Sequence, residues 1–205
     1  MTGSMKARRV VATGFVSVVA AAALPASADA AAPAYACRWP NGNAVTISTN
    51  PSLSNWGGFI LNAIASWNRA ANLEFAGGAV GSSQIELRAG ALGGSQLGST
   101  QPPPSNPNGT CNGRMIVTID TGKIQTRPNP IAVAQATISH EIGHAVGLGH
   151  DDSNSGAKCA DGATAVPNSV LRSSMIYIGG GPCNPLYPTN SDISSVNARY
   201  NTVLK

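Results

Sequence analysis

His140-Glu141-Ile142-Gly143-His144-Ala145-Val146-Gly147-Leu148-Gly149-His150-Asp151 contains all three histidines of the 205-residue chain. His140 and His144 are four residues apart, so on a helix their imidazoles leave the same face one turn apart. Gly147 suits the left-handed position at a helix exit, and the sharp turn it allows brings His150 back toward the other two. Three neutral imidazoles form a zinc ligand set that leaves one tetrahedral position open for water. Zinc lowers the pKa of such a water to about 7 and polarises a carbonyl oxygen. Glu141, next to the first histidine, is placed to take the water's proton. Scattering three histidines at random reproduces these offsets in roughly one arrangement in 7,000, before Glu141 and the glycines are required as well. A purely structural zinc would close with a fourth protein ligand, for which Asp151 is the nearest candidate, and would leave Glu141 without a purpose.

Outward from this stretch the pattern is that of one domain without internal repeats. The motif sits at the end of a helix expected over residues 130–146, with Pro130 at its first position and Gly147 at its exit. Residues 44–48 read as a strand ended by Asn50-Pro51. Phe59, Ala63, Trp67 and Ala70 recur at helical spacing within residues 55–71, with Ser54 or Asn55 as candidate caps. Residues 73–75 and 84–88 are the next strands. Residues 90–99 are glycine-rich and fit an edge strand or a plain loop, and residues 101–112, with four prolines, fit a surface loop. Residues 115–119 form a buried strand by their apolar, β-branched content. Residues 149–188 are mostly irregular, and a last helix is expected over 191–200, capped by Asn190 or Ser191. The layout is α+β: a mixed β-sheet, an active-site helix in the middle of the chain, and a loop-rich C-terminal subdomain ending in a helix.

The first thirty residues stand apart. Lys6, Arg8 and Arg9 precede an apolar run over residues 10–24, and Ala26-Ser27-Ala28 and Ala28-Asp29-Ala30 have the small-x-small form of a cleavage site. The run is shorter than the roughly 20 apolar residues a membrane span needs. Residues 1–30 therefore read as an export signal and residues 31–205 as the mature domain, secreted and not membrane-bound after cleavage. The signal carries three of the thirteen basic side chains, while all nine acids lie at Asp29 or beyond. A mature charge of about +1 to +2, the value depending on whether Asp29 is removed, gives no footprint for nucleic acid. In an exported chain, the even count of Cys37, Cys111, Cys159 and Cys183 favours two disulfides. Of the three pairings, Cys37–Cys111 and Cys159–Cys183 are expected, the second bracing the wall of a cleft beyond His150.

Twenty-five residues after His150 comes Met175, within Ser173-Ser174-Met175-Ile176-Tyr177. The histidine motif resembles that of the metzincin zinc proteases, and its Glu-Ile-Gly-His-Ala-Val-Gly-Leu-Gly-His core is most similar to the matrixins. Ser174-Met175-Ile176-Tyr177 looks like the Met-turn that lies beneath the zinc in that clan. The placement of Tyr177 is similar to astacins and serralysins, which implies that it contacts the metal or stabilises the oxyanion. Arg38-Trp39-Pro40, Leu73-Glu74-Phe75, Ile85-Glu86-Leu87 and the helix with Asp192, Ile193, Val196 and Tyr200 also resemble matrixin catalytic domains. Two departures stand out. The residues before Trp39 leave no room for an inhibitory propeptide with its cysteine switch, and no histidine remains for the second zinc of animal matrixins. One zinc is expected. For calcium, the loops offer few free acids, only Asp120, Asp151, Asp152 and Asp161.

The function expected is peptide-bond hydrolysis by a secreted monomeric metalloendopeptidase, with His140, His144 and His150 on zinc and Glu141 and Tyr177 catalytic. A peptide to be cut must be extended, and the glycine-rich residues 91–98 are the candidate sheet edge for pairing with it. The competing readings are a secreted zinc-binding or adhesion module without activity, and a hydrolase of a small non-peptide substrate.

Overall fold

The computed structural model describes residues 34–35, 37–40, 44–159, 164–175, 177–178 and 181–201. The expected export signal and Asp161 lie outside the described residues, and Tyr177 is described by its backbone alone.

A five-stranded sheet forms the body, built from β1 (Val45–Thr49), β2 (Phe75–Gly77), β3 (Ile85–Ala89), β4 (Gly98–Gln101) and β5 (Met115–Ile119). Their order is β2-β1-β3-β5-β4, parallel throughout except for β4, which runs antiparallel to β5 at one edge. In β5, Met115, Val117 and Ile119 are buried and the residues between them are partly exposed, the period-two signature of a sheet with one face on the core. Pairing parallel strands requires long crossovers, and α1 (Gly57–Trp67) lies in the connection between β1 and β2.

The motif helix is α3 (Pro130–Ala145), which packs on α1 and on β4 and β5. Its start follows the expected chemistry: Pro130 occupies the first turn, and the Asn129 side chain accepts from the Ala132 N–H. At its other end, carbonyls with no partner inside the helix are taken up by aromatic donors. Trp39 Nε1 donates to Ala145 O at 2.9 Å and the Tyr200 hydroxyl to Val146 O at 3.1 Å. Gly147 then turns at φ 87°, as the sequence required, and a Cβ there would lie 2.7 Å from Cys37 O. The helix holding two of the histidines is thus fixed at both ends.

Several expected boundaries shift. Asn50-Pro51 ends the strand as expected and at once opens a 3-10 turn, Pro51–Trp56, in which the Asn50 side chain accepts from Ser52 N. The N-cap of α1 is therefore Trp56, without a side-chain bond, rather than Ser54 or Asn55. The strand expected over 73–75 begins only at Phe75. A short helix α2 (Thr121–Gln125) was not expected; Asp120 caps it by accepting from Lys123 N. The segment after His150 contains two small hairpins, β6 (Asn154–Lys158) with β7 (Ala165–Pro167) and β8 (Tyr177–Ile178) with β9 (Gly181–Pro182). The final helix, α4 (Asn190–Tyr200), is capped by Thr189 in a reciprocal capping box with Asp192, one residue before the expected caps. Both expected disulfides form, Cys37–Cys111 and Cys159–Cys183, with Cα–Cα separations of 4.9 and 5.9 Å.

Candidate active site

The cleft lies between the edge strand β4, helix α3 and the segment around Met175, with His140, Glu141, His144 and His150 on its walls. The helix and turn deliver the three histidines as the spacing required: their ligand atoms all lie within 4.8 Å of one another. His144 Nε2 and His150 Nε2 are 3.2 Å apart, close to the ~3.3 Å that two nitrogens bound tetrahedrally at 2.0–2.1 Å would keep. On the far side of each ring a carbonyl sets the tautomer. His140 Nδ1 lies 2.9 Å from Val170 O and His144 Nδ1 lies 2.8 Å from Leu148 O, so each donates from Nδ1 and keeps the Nε2 lone pair for a metal. This donor set fits a zinc ion.

The carbonyl that orients His140 is itself held in place. Asp192 Oδ2, nearly inaccessible on α4, accepts from Val170 N at 3.1 Å, and its Oδ1 accepts from the Ser169 hydroxyl. The C-terminal helix is thereby coupled to the histidine cluster through Val170.

Burial tunes the titrating groups. Desolvation brings His140 and His144 each down to about 4, the other imidazoles of the cluster adding to the effect. Both rings are therefore neutral at pH 7 and ready to bind a cation without releasing protons. Their folded pKa lies below the unfolded value of about 6.5, so between those limits the unfolded chain binds more protons. The metal-free protein is expected to lose stability as pH falls from about 6.5 toward 4 and to keep it above that window. Thermal melts of chelator-treated protein across pH 4 to 7 check this; a flat melting temperature would contradict it.

Glu141 is buried beside the cluster, and its pKa is raised, chiefly by desolvation. The raised value makes its carboxylate a stronger proton acceptor. The Thr100 hydroxyl lies 2.7 Å from Glu141 Oε2 and 3.0 Å from its backbone O, fixing one carboxylate oxygen. The other rests against Gly98, where a Cβ would come within 2.5 Å of Glu141 Oε1 and 2.8 Å of Cδ. Only glycine leaves the carboxylate this position. Gly98→Ala is expected to displace it and lower kcat about 10- to 100-fold, since misplacement by about 1 Å can cost 10² in rate. The check is steady-state kinetics beside a melting curve; wild-type kcat in a folded protein would refute the role of Gly98.

The edge strand corrects one expectation. Residues 91–97 are not the strand: Gly94, at φ 55°, helps turn the chain there, and the edge runs over Gly98–Gln101. Asp120 N donates to Leu97 O at 2.8 Å. By alternation, Ser99 and Gln101 share the bonded pairs with β5, while Gly98 and Thr100 point their main-chain groups outward along the free edge. The Tyr35 hydroxyl donates to one of these, Thr100 O, at 2.9 Å, and its ring packs 4.6 Å from that of His144. Burial and the neighbouring Glu141 carboxylate both raise the Tyr35 pKa.

Met175 lines the same cleft, in the region expected for the Met-turn. Tyr177 follows in β8, but its side chain is outside the described residues. The loop acids considered for calcium serve the backbone instead: Asp120 accepts from Leu92 N and Lys123 N, Asp152 from Ser173 N, and Asp151 from Ser153 N. Among the described residues, the three histidines are the one cluster of metal-ligating side chains. Sequence reasoning missed Tyr35 and Thr100 as parts of the site, and it did not foresee that Gly98, inside the candidate edge, cradles Glu141 or that Asp192 holds the residue whose carbonyl orients His140. A capping-box pattern at Thr189 could have singled out Asp192; the other three depend on chain crossings of about 40 to 110 residues that no local pattern announces.

The chain is similar in fold to solved structures of myroilysin. Two of them superpose with a TM-score of 0.51 each at 15% identity, covering 84% and 88% of this chain and 100% and 97% of theirs. The expected α+β architecture, a mixed sheet with the motif helix packed on it and a C-terminal helix, is the architecture observed, and it is shared with these structures. Neither a protein-family model nor a curated protein sequence matches the chain.

Proposed function

We propose that the mature chain, residues 31–205, is a secreted zinc-dependent endopeptidase. The observation that carries this reading is the placement of three convergent, neutral imidazoles beside a buried carboxylate, in a cleft bordered by an open sheet edge. Zinc held by His140, His144 and His150 would supply a Lewis acid that acidifies a water and polarises the scissile carbonyl. Glu141, its Oε2 steadied by Thr100, takes the water's proton on its carboxylate and returns it to the leaving nitrogen. Gly98 and the remaining outward groups of Thr100 hold the peptide extended by main-chain pairing. Tyr177 is assigned to the oxyanion on its resemblance to the astacin and serralysin tyrosine. The leader sequence and the two disulfides support an extracellular site of action, and no helix among the described residues is long and apolar enough to cross a membrane. A mature protein incubated with a mixed peptide library, with and without a zinc chelator, is expected to give internal cleavages that vanish on chelation. No cleavage in either arm, together with tight binding of some partner, would favour the adhesion module.

A further inference from the structure

The cleft contains polar atoms that the hydrolytic machinery does not use. One turn before His140 on α3, Thr137 is only 3% exposed, yet its hydroxyl has no hydrogen-bond partner. Buried hydroxyls are rarely left so, because an unmatched one keeps the cost of its lost hydration. Two guanidinium groups line the cleft with it, Arg127 and Arg172. Arg172 uses Nη1 on Asp152 O and the Asn154 side chain, while its Nε is buried without a hydrogen-bond partner. Among the residues lining the cleft Glu141 is the one carboxylate, and the Asp152 carboxylate lies near enough to Arg172 to feel its charge. A bound metal would add further positive charge. The walls thus carry two cationic side chains that pairing with a substrate main chain does not use.

Resting on the peptidase reading, we infer that the cleft selects peptides with an acidic side chain flanking the scissile bond, its carboxylate received by Arg127, Arg172 and the Thr137 hydroxyl. Charge-assisted bonds from a guanidinium to a carboxylate are the strong, planar kind. In a half-enclosed cleft they are screened less than on an open surface. A lysine in the same place would face two like charges.

The test uses zinc-loaded mature protein and one cleaved peptide varied to Glu, Gln or Lys at each of three residues on either side of the cut. At one or more positions, kcat/KM is expected to fall in the order Glu, Gln, Lys, with Glu over Lys by about tenfold or more. The preference should shrink as salt rises. It should collapse toward unity in the Arg127→Gln/Arg172→Gln double variant and survive in part in the Arg→Lys pair. Thr137→Val should raise KM for the Glu peptide more than for the Gln peptide. Binding of the same fluorescent peptides to zinc-loaded Glu141→Gln protein gives a second arm that needs no turnover. Equal use and equal binding of Glu and Lys peptides at every position would overturn the inference, as would a preference that persists in the double glutamine variant. Absence of all cleavage by the wild type would sink the peptidase reading by itself, and the binding arm would still decide on acidic recognition.

Discussion

Glu141→Gln is expected to reduce peptide hydrolysis by about 10³- to 10⁴-fold, at the upper end of what loss of a general base costs. The amide keeps the size of the carboxylate and can still accept from the Thr100 hydroxyl through its oxygen, so the bond at 2.7 Å has a replacement. What it cannot do is take a proton. Zinc content and melting temperature should scarcely change, because the three ligand nitrogens are untouched. Desolvation already disfavours the ionised carboxylate there, so a neutral amide in its place adds no burial penalty. Hydrolysis at wild-type rate by the purified variant would show that the base lies elsewhere.

Loss of a ligand should fail differently. His144→Ala is expected to weaken zinc binding by more than the 10- to 100-fold typical of losing a residue that only orients a ligand, and activity should go with the metal. His144 is buried, and its Nδ1 serves Leu148 O, so the variant also leaves a carbonyl unmatched at a cost of about 1–3 kcal/mol. His150→Ala separates the two effects. His150 is exposed, so its removal should release the metal while leaving the melting temperature of the metal-free protein near wild type. Zinc content by elemental analysis after dialysis, read beside the melting curves, checks both. A His150→Ala protein that kept one tightly held zinc would remove this residue from the ligand set.

The contrast between these variants follows from what the sequence did and did not disclose. The histidine spacing was legible because one helix and one glycine turn place all three rings, and local geometry suffices for that. The strand at Met115–Ile119 and the start of the motif helix at Pro130 were legible for the same reason: alternation and capping are local codes. Asn50-Pro51 was legible as the end of a strand but not as the start of a 3-10 turn, because the dipeptide fits both and only the chain beyond it shows the second. The glycines of residues 91–98 pointed to an edge one strand length too early. Glycine marks both a turn, as at Gly94, and a close approach, as at Gly98, and the Glu141 side chain that distinguishes them is more than 40 residues away. Asp120 looked like a free loop acid and is instead a helix cap, its partners Leu92 and Lys123 brought together by the fold.

The most direct measurement is a zinc titration of chelator-stripped mature protein, followed by hydrolysis of a peptide it cleaves. Activity should return in proportion to added zinc and level off at one equivalent per chain, with Glu141→Gln binding the same equivalent and remaining inactive. Hydrolysis that persists in the stripped protein, or zinc saturation at one equivalent without any hydrolysis by the wild type, would contradict the account.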